Sequence, residues 1–142
     1  MCLAIYISSD RPLPHIKWDD ENPSFHVIDL SENEKGIQKH LSFEYVCYIG
    51  SYEGCSCAFN IGREYPDFEY ETDEIQLADK SRKELVEYLN KLSINRRIQI
   101  YSCAEGESDK LPKYFRSLTA EEILKSDFVF QESEVITISK GA

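Results

Sequence analysis

Positive charge is scarce in this chain: sixteen Lys and Arg stand against twenty-six Asp and Glu, a formal charge of −10. So acidic a surface repels phosphate backbones and anionic headgroups, which argues against nucleic acid and membrane as partners. A basic protein or a small molecule is the expected partner, unless the charge serves solubility alone. Gly and Pro are few, six and five in 142 residues, and nothing repeats, so disordered and solenoid chains are excluded. No apolar run approaches the roughly 20 residues of a membrane span. The opening Met1-Cys2-Leu3-Ala4-Ile5-Tyr6-Ile7 carries no basic leader, and a cytoplasmic protein is expected. Thiols stay reduced there, and five cysteines are an odd number, so a disulfide framework is not expected.

What is present is an ordinary globular composition. One Trp, nine Tyr and seven Phe accompany an apolar fraction of 42%. A single domain over residues 1–142 is expected, large enough to bury about two thirds of its unfolded surface without a disulfide or metal.

Residues 2 to 8 alternate, with Leu3, Ile5 and Ile7 on one face, and read as a strand. Ser9 to Val27 has three prolines and no period, a long loop whose His15, Ile16, Trp18, Phe25 and His26 suggest that it packs down. Ser31 and Glu34 have capping-box spacing for a short helix over 32–41. Phe43 to Gly50 is apolar on both faces, a central strand, and Cys55 to Ile61 has strand composition beyond a turn at Gly50 to Gly54. Asp67 to Glu71 reads as a marginal edge strand.

Asp73 is the expected cap of a long helix with Ile75, Ala78, Leu85, Leu89 and Leu92 in its apolar stripe. Arg97 to Cys103 alternates as a half-exposed strand, and strand, helix, strand permits a crossover between parallel strands. A polar loop follows. Thr119 and Glu122 form a second capping box, and Phe128 to Phe130 and Val135 to Ser139 read as one or two closing strands. The expected fold is α+β: a mixed or mainly antiparallel sheet with one long amphipathic helix (about 73–93) and one or two short helices.

Chemistry concentrates in Phe43 to Phe59, which holds three of the five cysteines. Cys55 and Cys57, two apart on an extended backbone, face one way and can reach one metal ion or each other. Zinc needs three or four ligands, so Cys47, Cys103, Cys2 or one of His15, His26 and His40 must join them. The same pair suits thiol redox chemistry, but Arg63 is the one basic residue nearby and Glu53 and Glu64 oppose thiolate formation. Against both readings, free cysteines in strands are often plain small apolar residues. The acids from Glu64 to Glu74 lack the glycine and oxygen spacing of a calcium loop, and no HExxH pair or nucleophile elbow occurs.

Two resemblances follow. Met1-Cys2 resembles the start of class II glutamine amidotransferases and other N-terminal-nucleophile hydrolases, which implies Cys2 as a nucleophile after Met removal; the glycine-rich and Asn-containing segments that follow in those families are missing. YIGSYEGCSCAF with MCLAIYISSDRPLP resembles small bacterial proteins sharing a Gly-Cys-x-Cys-x-Phe segment, which implies no activity.

The expected function is a non-enzymatic domain binding a small molecule or a protein. Its pocket would lie where the long loop, with Trp18 and His26, meets Tyr52, Glu53, Cys55 and Cys57, and no cofactor is expected. An acidic edge from Glu64 to Glu74 would suit a basic partner. The alternative is a thiol redox or zinc protein centred on Cys55 and Cys57, with Cys47 and Cys103 as further ligands.

Overall fold

The structure is a computed structural model and describes residues 2–63 and 69–140. Six strands form one sheet: β1 (Leu3–Ser9), β2 (His26–Asp29), β3 (Tyr45–Gly50), β4 (Ile98–Ala104), β5 (Tyr114–Thr119) and β6 (Glu134–Ser139), in the order β2-β3-β1-β4-β6-β5. Neighbours are antiparallel except β5 and β6, so the domain is α+β with a mixed, mainly antiparallel sheet.

Alternation in β1 divides the core. Ile5 and Ile7 point to the face covered by α1 (Thr72–Ser93), where Leu85, Leu89 and Leu92 pack with Ile49, Ile98 and Ile100. Ala4 and Tyr6 point to the other face, where Ile37 and Leu41 pack with Val46, Tyr101 and Val135. β3 and β4 both pair antiparallel with β1 and are therefore parallel to each other, joined through α1 with β1 between them.

Local chemistry explains the departures from expectation. The expected short helix forms as a 3-10 helix over Glu32–His40, entered through the expected capping box, in which Ser31 N–H donates to Glu34 Oε1 at 3.0 Å. The long loop does pack down, with Leu13 and Phe25 buried and Tyr88 donating to Pro14 O at 2.7 Å, but its last residues, His26 and Val27, open β2. Glu71, not Asp73, occupies the cap of α1, and Asp73 lies in the first turn, where an acid complements the helix dipole. The start of α1 faces the 57–61 turn instead of the sheet, so Ala78, Ser81 and Arg82 are buried and Ile75 is exposed.

β4 lies between two strands and is buried on both faces; Tyr101 reconciles burial with its hydroxyl by donating to Lys110 O at 2.9 Å. β5 lies within the expected polar loop. Phe128 and Phe130 are buried outside any strand, because the Asn60 side chain supplies the missing ladder: its Nδ2 donates to Phe130 O at 2.9 Å and its Oδ1 accepts from Phe130 N at 2.8 Å. The expected strand over 67–71 and the acidic edge from Glu64 to Glu74 fall in part outside the described residues, and Glu69 to Glu71 form no strand.

Candidate metal centre

The site forms where β3 ends. Gly50 faces His26 across the ladder so closely that a Cβ there would lie 2.1 Å from His26 Nε2, which reserves the position for glycine. The chain then turns through Ser51 to Gly54, whose φ of +88° lies in the left-handed region. Ser51 N–H and Oγ–H both donate to Cys55 O, at 2.8 and 2.6 Å, and close the turn.

Beyond it the expected strand from Cys55 to Ile61 does not form. Ser56 is already helical, with φ −90° and ψ −1°, and leads into a 3-10 helix over Cys57–Asn60. The physical reason is that side chains of this segment replace backbone in pairing with β1: Ser56 Oγ accepts from Ile5 N at 3.0 Å and donates to Ile49 O at 2.6 Å. Cys57 Sγ accepts from Leu3 N at 3.2 Å. The bonds to Leu3 and Ile5 each span more than fifty residues of sequence and draw the start of β1 against the Cys-x-Cys turn.

Cys2 is thereby delivered to the same place. The sulfurs of Cys2, Cys55 and Cys57 all lie within 4.8 Å of one another, with Cys2 exposed and the other two half-buried. Glu105 N–H holds the Cys2 carbonyl at 2.7 Å from the far side. The two thiols of the turn therefore meet through a 3-10 turn and not through an extended backbone.

The turn is anchored from behind. Arg82, 3% exposed on α1, directs Nη1 at the carbonyls of Ala58, Phe59 and Ile61, at 3.4, 3.3 and 3.0 Å, and its Nη2 pairs with Asp79. Arg63 Nη1 donates to Ile123 O and Phe128 O at 3.2 and 3.1 Å, so its guanidinium serves the chain's C-terminal third and not the thiols. Ser56, Asn60 and Arg82 were not apparent as site residues. Arg82 leaves one signal, a cation inside the apolar stripe between Ala78 and Leu85.

The cysteines expected to complete a zinc set lie elsewhere. Cys47, in β3, faces the α1 side of the sheet, and Cys103, in β4, the opposite side. Strand alternation turns the two to opposite faces, so they cannot join one ligand set, and neither belongs to the cluster of Cys2, Cys55 and Cys57. Cys47 Sγ instead lies within 4.8 Å of His15 and Asp29, an exposed pair whose Nε2 and Oδ1 are 3.0 Å apart. His40 packs against Tyr101, with ring centroids 6.1 Å apart.

Trp18 and His26 do come together beside the turn, with ring centroids 4.7 Å apart and Trp18 3.9 Å from where a Gly54 Cβ would lie. The pair fills its own space, and His26 is only 2% exposed. Tyr52 turns the other way and packs with Ala58, Ile61 and Ala78, while Glu53 is exposed. The six expected pocket residues thus divide into a ring pair, a thiol pair and two outliers.

Burial pushes the Cys57 thiol up to about 12; the Leu3 amide opposes this, and the Cys55 and Cys2 sulfurs add to it. A redox nucleophile needs the reverse shift. A metal ion does not, since it displaces the proton on binding. Zinc–sulfur bonds of about 2.3 Å place tetrahedral thiolates roughly 3.8 Å apart, so closure on an ion asks only small side-chain movements and leaves a fourth position open. Among the described residues, no helix is long and apolar enough to cross a membrane. Comparison with known proteins finds no match among family models, curated proteins or solved structures.

Proposed function

We propose that the protein is a non-enzymatic binding domain that holds one zinc ion through the thiolates of Cys2, Cys55 and Cys57, with a fourth position for water or a partner's ligand. The observation that carries this reading is the convergence of three sulfurs within 4.8 Å from opposite ends of a span of more than fifty residues. Thiolates select soft or borderline cations over magnesium and calcium. The site meets a further requirement, since Leu3, Ile5 and Arg82 hold the ligand-bearing segments from outside the ligand set.

Native mass spectrometry of protein purified without chelator, followed by cobalt(II) substitution, tests the reading. One ion per chain and a cobalt spectrum with sulfur charge-transfer and tetrahedral bands are expected. Ready reaction of Cys2, Cys55 and Cys57 with a thiol reagent and no bound ion would overturn it.

A further inference from the structure

The face of the sheet turned away from α1 carries a second feature. There the 3-10 helix over 32–40 covers the strands incompletely and leaves a cavity of about 340 Å³ over Ala4, Ile28 and Tyr48. The volume falls at the lower end of the range for small-molecule pockets, about 300 to 1,000 Å³.

Its walls are rich in acceptors and carry charge of one sign. Asn33, Glu34, Glu105 and Ser108 line it, with no Lys, Arg or His, and among the described residues neither carboxylate forms an ion pair. Burial raises the Tyr48 hydroxyl, and Glu34 and Glu105 both add to the rise, so the two charges bear on one place. Glu34 is fixed before any ligand arrives. Its Oε2 accepts from Tyr6 Oη at 2.7 Å and its Oε1 from Ser31 N at 3.0 Å; a carboxylate has about four lone-pair sites, so each oxygen can accept once more.

Ser108 points independently to a polar occupant. It is only 5% exposed, yet its hydroxyl has no hydrogen-bond partner among the described residues. The unpartnered hydroxyls of Ser8 and Ser102 are sealed inside the fold, whereas that of Ser108 keeps open surface, and the space beside it is the cavity. A ligand that bonds this hydroxyl recovers what its lack of a partner costs.

These groups narrow the occupant. The two carboxylates repel an anion. A hard divalent ion needs six or more oxygens closed tightly around it, and among the described residues Glu34 and Glu105 belong to no group of three ligand atoms close enough to share an ion. An ammonium group brings three donors that separate acceptors can take up one by one. Ala4 and Ile28 offer apolar surface for a short alkyl stem beside it. We propose that this cavity is a separate site for a small primary amine, its ammonium group held by the Glu34 and Glu105 carboxylates and the Ser108 hydroxyl and its stem lying over Ala4 and Ile28.

Titration of the whole chain with n-butylamine at pH 7 and low salt, followed by NMR, tests this apart from the metal reading when it is repeated with excess chelator. Saturable shifts of the Ala4, Ile28 and Ser108 signals are expected, the same with and without chelator. The neutral 1-butanol should bind at least about tenfold more weakly, because charge-assisted hydrogen bonds are lost. Butyltrimethylammonium keeps the charge and donates nothing, and should also bind at least about tenfold more weakly. Glu105→Gln, at an exposed position, should weaken butylamine about tenfold. Ser108→Ala removes a hydroxyl that has no partner in the fold, so it should weaken butylamine several-fold while leaving the urea midpoint unchanged. Equal affinity for butylamine and either analogue, displacement of butylamine by stoichiometric calcium, unchanged binding in both variants, or no saturable shift would each overturn the proposal.

Discussion

The five cysteines fall into two populations that differ in what surrounds them. Cys47 and Cys103 occupy ladder positions within β3 and β4, where alternation commits each to a packed face and neighbours on either side shut out water. Cys2, Cys55 and Cys57 lie where regular pairing stops, at the start of β1 and just past the end of β3. There side chains have replaced the ladder, so sulfurs can face one another instead of a core. The convergence of the three sulfurs depends on the edge of order, not on burial or sequence proximity alone.

The sharpest way to break that contrast is Cys55→Ser, which is expected to take zinc from one per chain to none by native mass spectrometry, whereas Cys103→Ser should retain it. Loss of zinc from Cys103→Ser would erase the distinction. Zinc affinity is next. With Cys57 pushed up to about 12, at least one proton leaves on binding, so affinity should fall about tenfold or more per unit as pH drops from about 8 to 6 in competition titrations. A pH-independent affinity would remove Cys57 from the ligand set.

Arg82→Met leaves three buried carbonyls of the turn without a donor, and should lower stability in urea by about 2 to 4 kcal/mol while weakening zinc. Unchanged stability would mean that the turn stands without its anchor. Cys103→Ser places a hydroxyl among Tyr101 and Val135 and should cost about 1 to 3 kcal/mol. The last effect is alkaline. Burial raises Cys47 from 9.0 to about 11 and Cys103 to about 12, so the folded state holds these protons more tightly than the unfolded one. Stability of the metal-free protein is therefore full below about pH 9 and lost progressively as pH rises through 11 and 12, a slope that Cys47→Ala and Cys103→Ala should flatten.

Where one physical signal decided an element, the sequence was readable. β1, β3 and α1 have strong periods, and both capping boxes formed at Ser31 and Thr119. β2 and β5 escaped because edge strands need little apolar alternation: only Leu118 is buried in β5, and β2 is four residues long behind a proline-rich loop. The Cys-x-Cys turn stood out, but its third sulfur did not. Cys2 joins it through a tertiary match, Leu3 opposite Ala104 on one side and Ser56 bridging Ile5 and Ile49 on the other. No local pattern encodes such a meeting. The Phe128–Phe130 segment went astray for a related reason, since Asn60, far away in sequence, does a strand's work with one amide.

The central place of β1 also dictates an order of assembly. Its partners are residues 45–49 on one side and 98–104 on the other, so one edge of this strand finds its neighbour about forty residues later, while the other stays open until a segment about a hundred residues later arrives. Closing loops of that length before any contact rewards them makes folding slow, and it concentrates the barrier in the docking of one strand. Because Cys2 moves with β1, the three sulfurs meet only once β1 has docked on β3 and the turn beyond it. Metal uptake would then act as a late latch, and the rate at which refolding chains acquire zinc would time the insertion of the first strand.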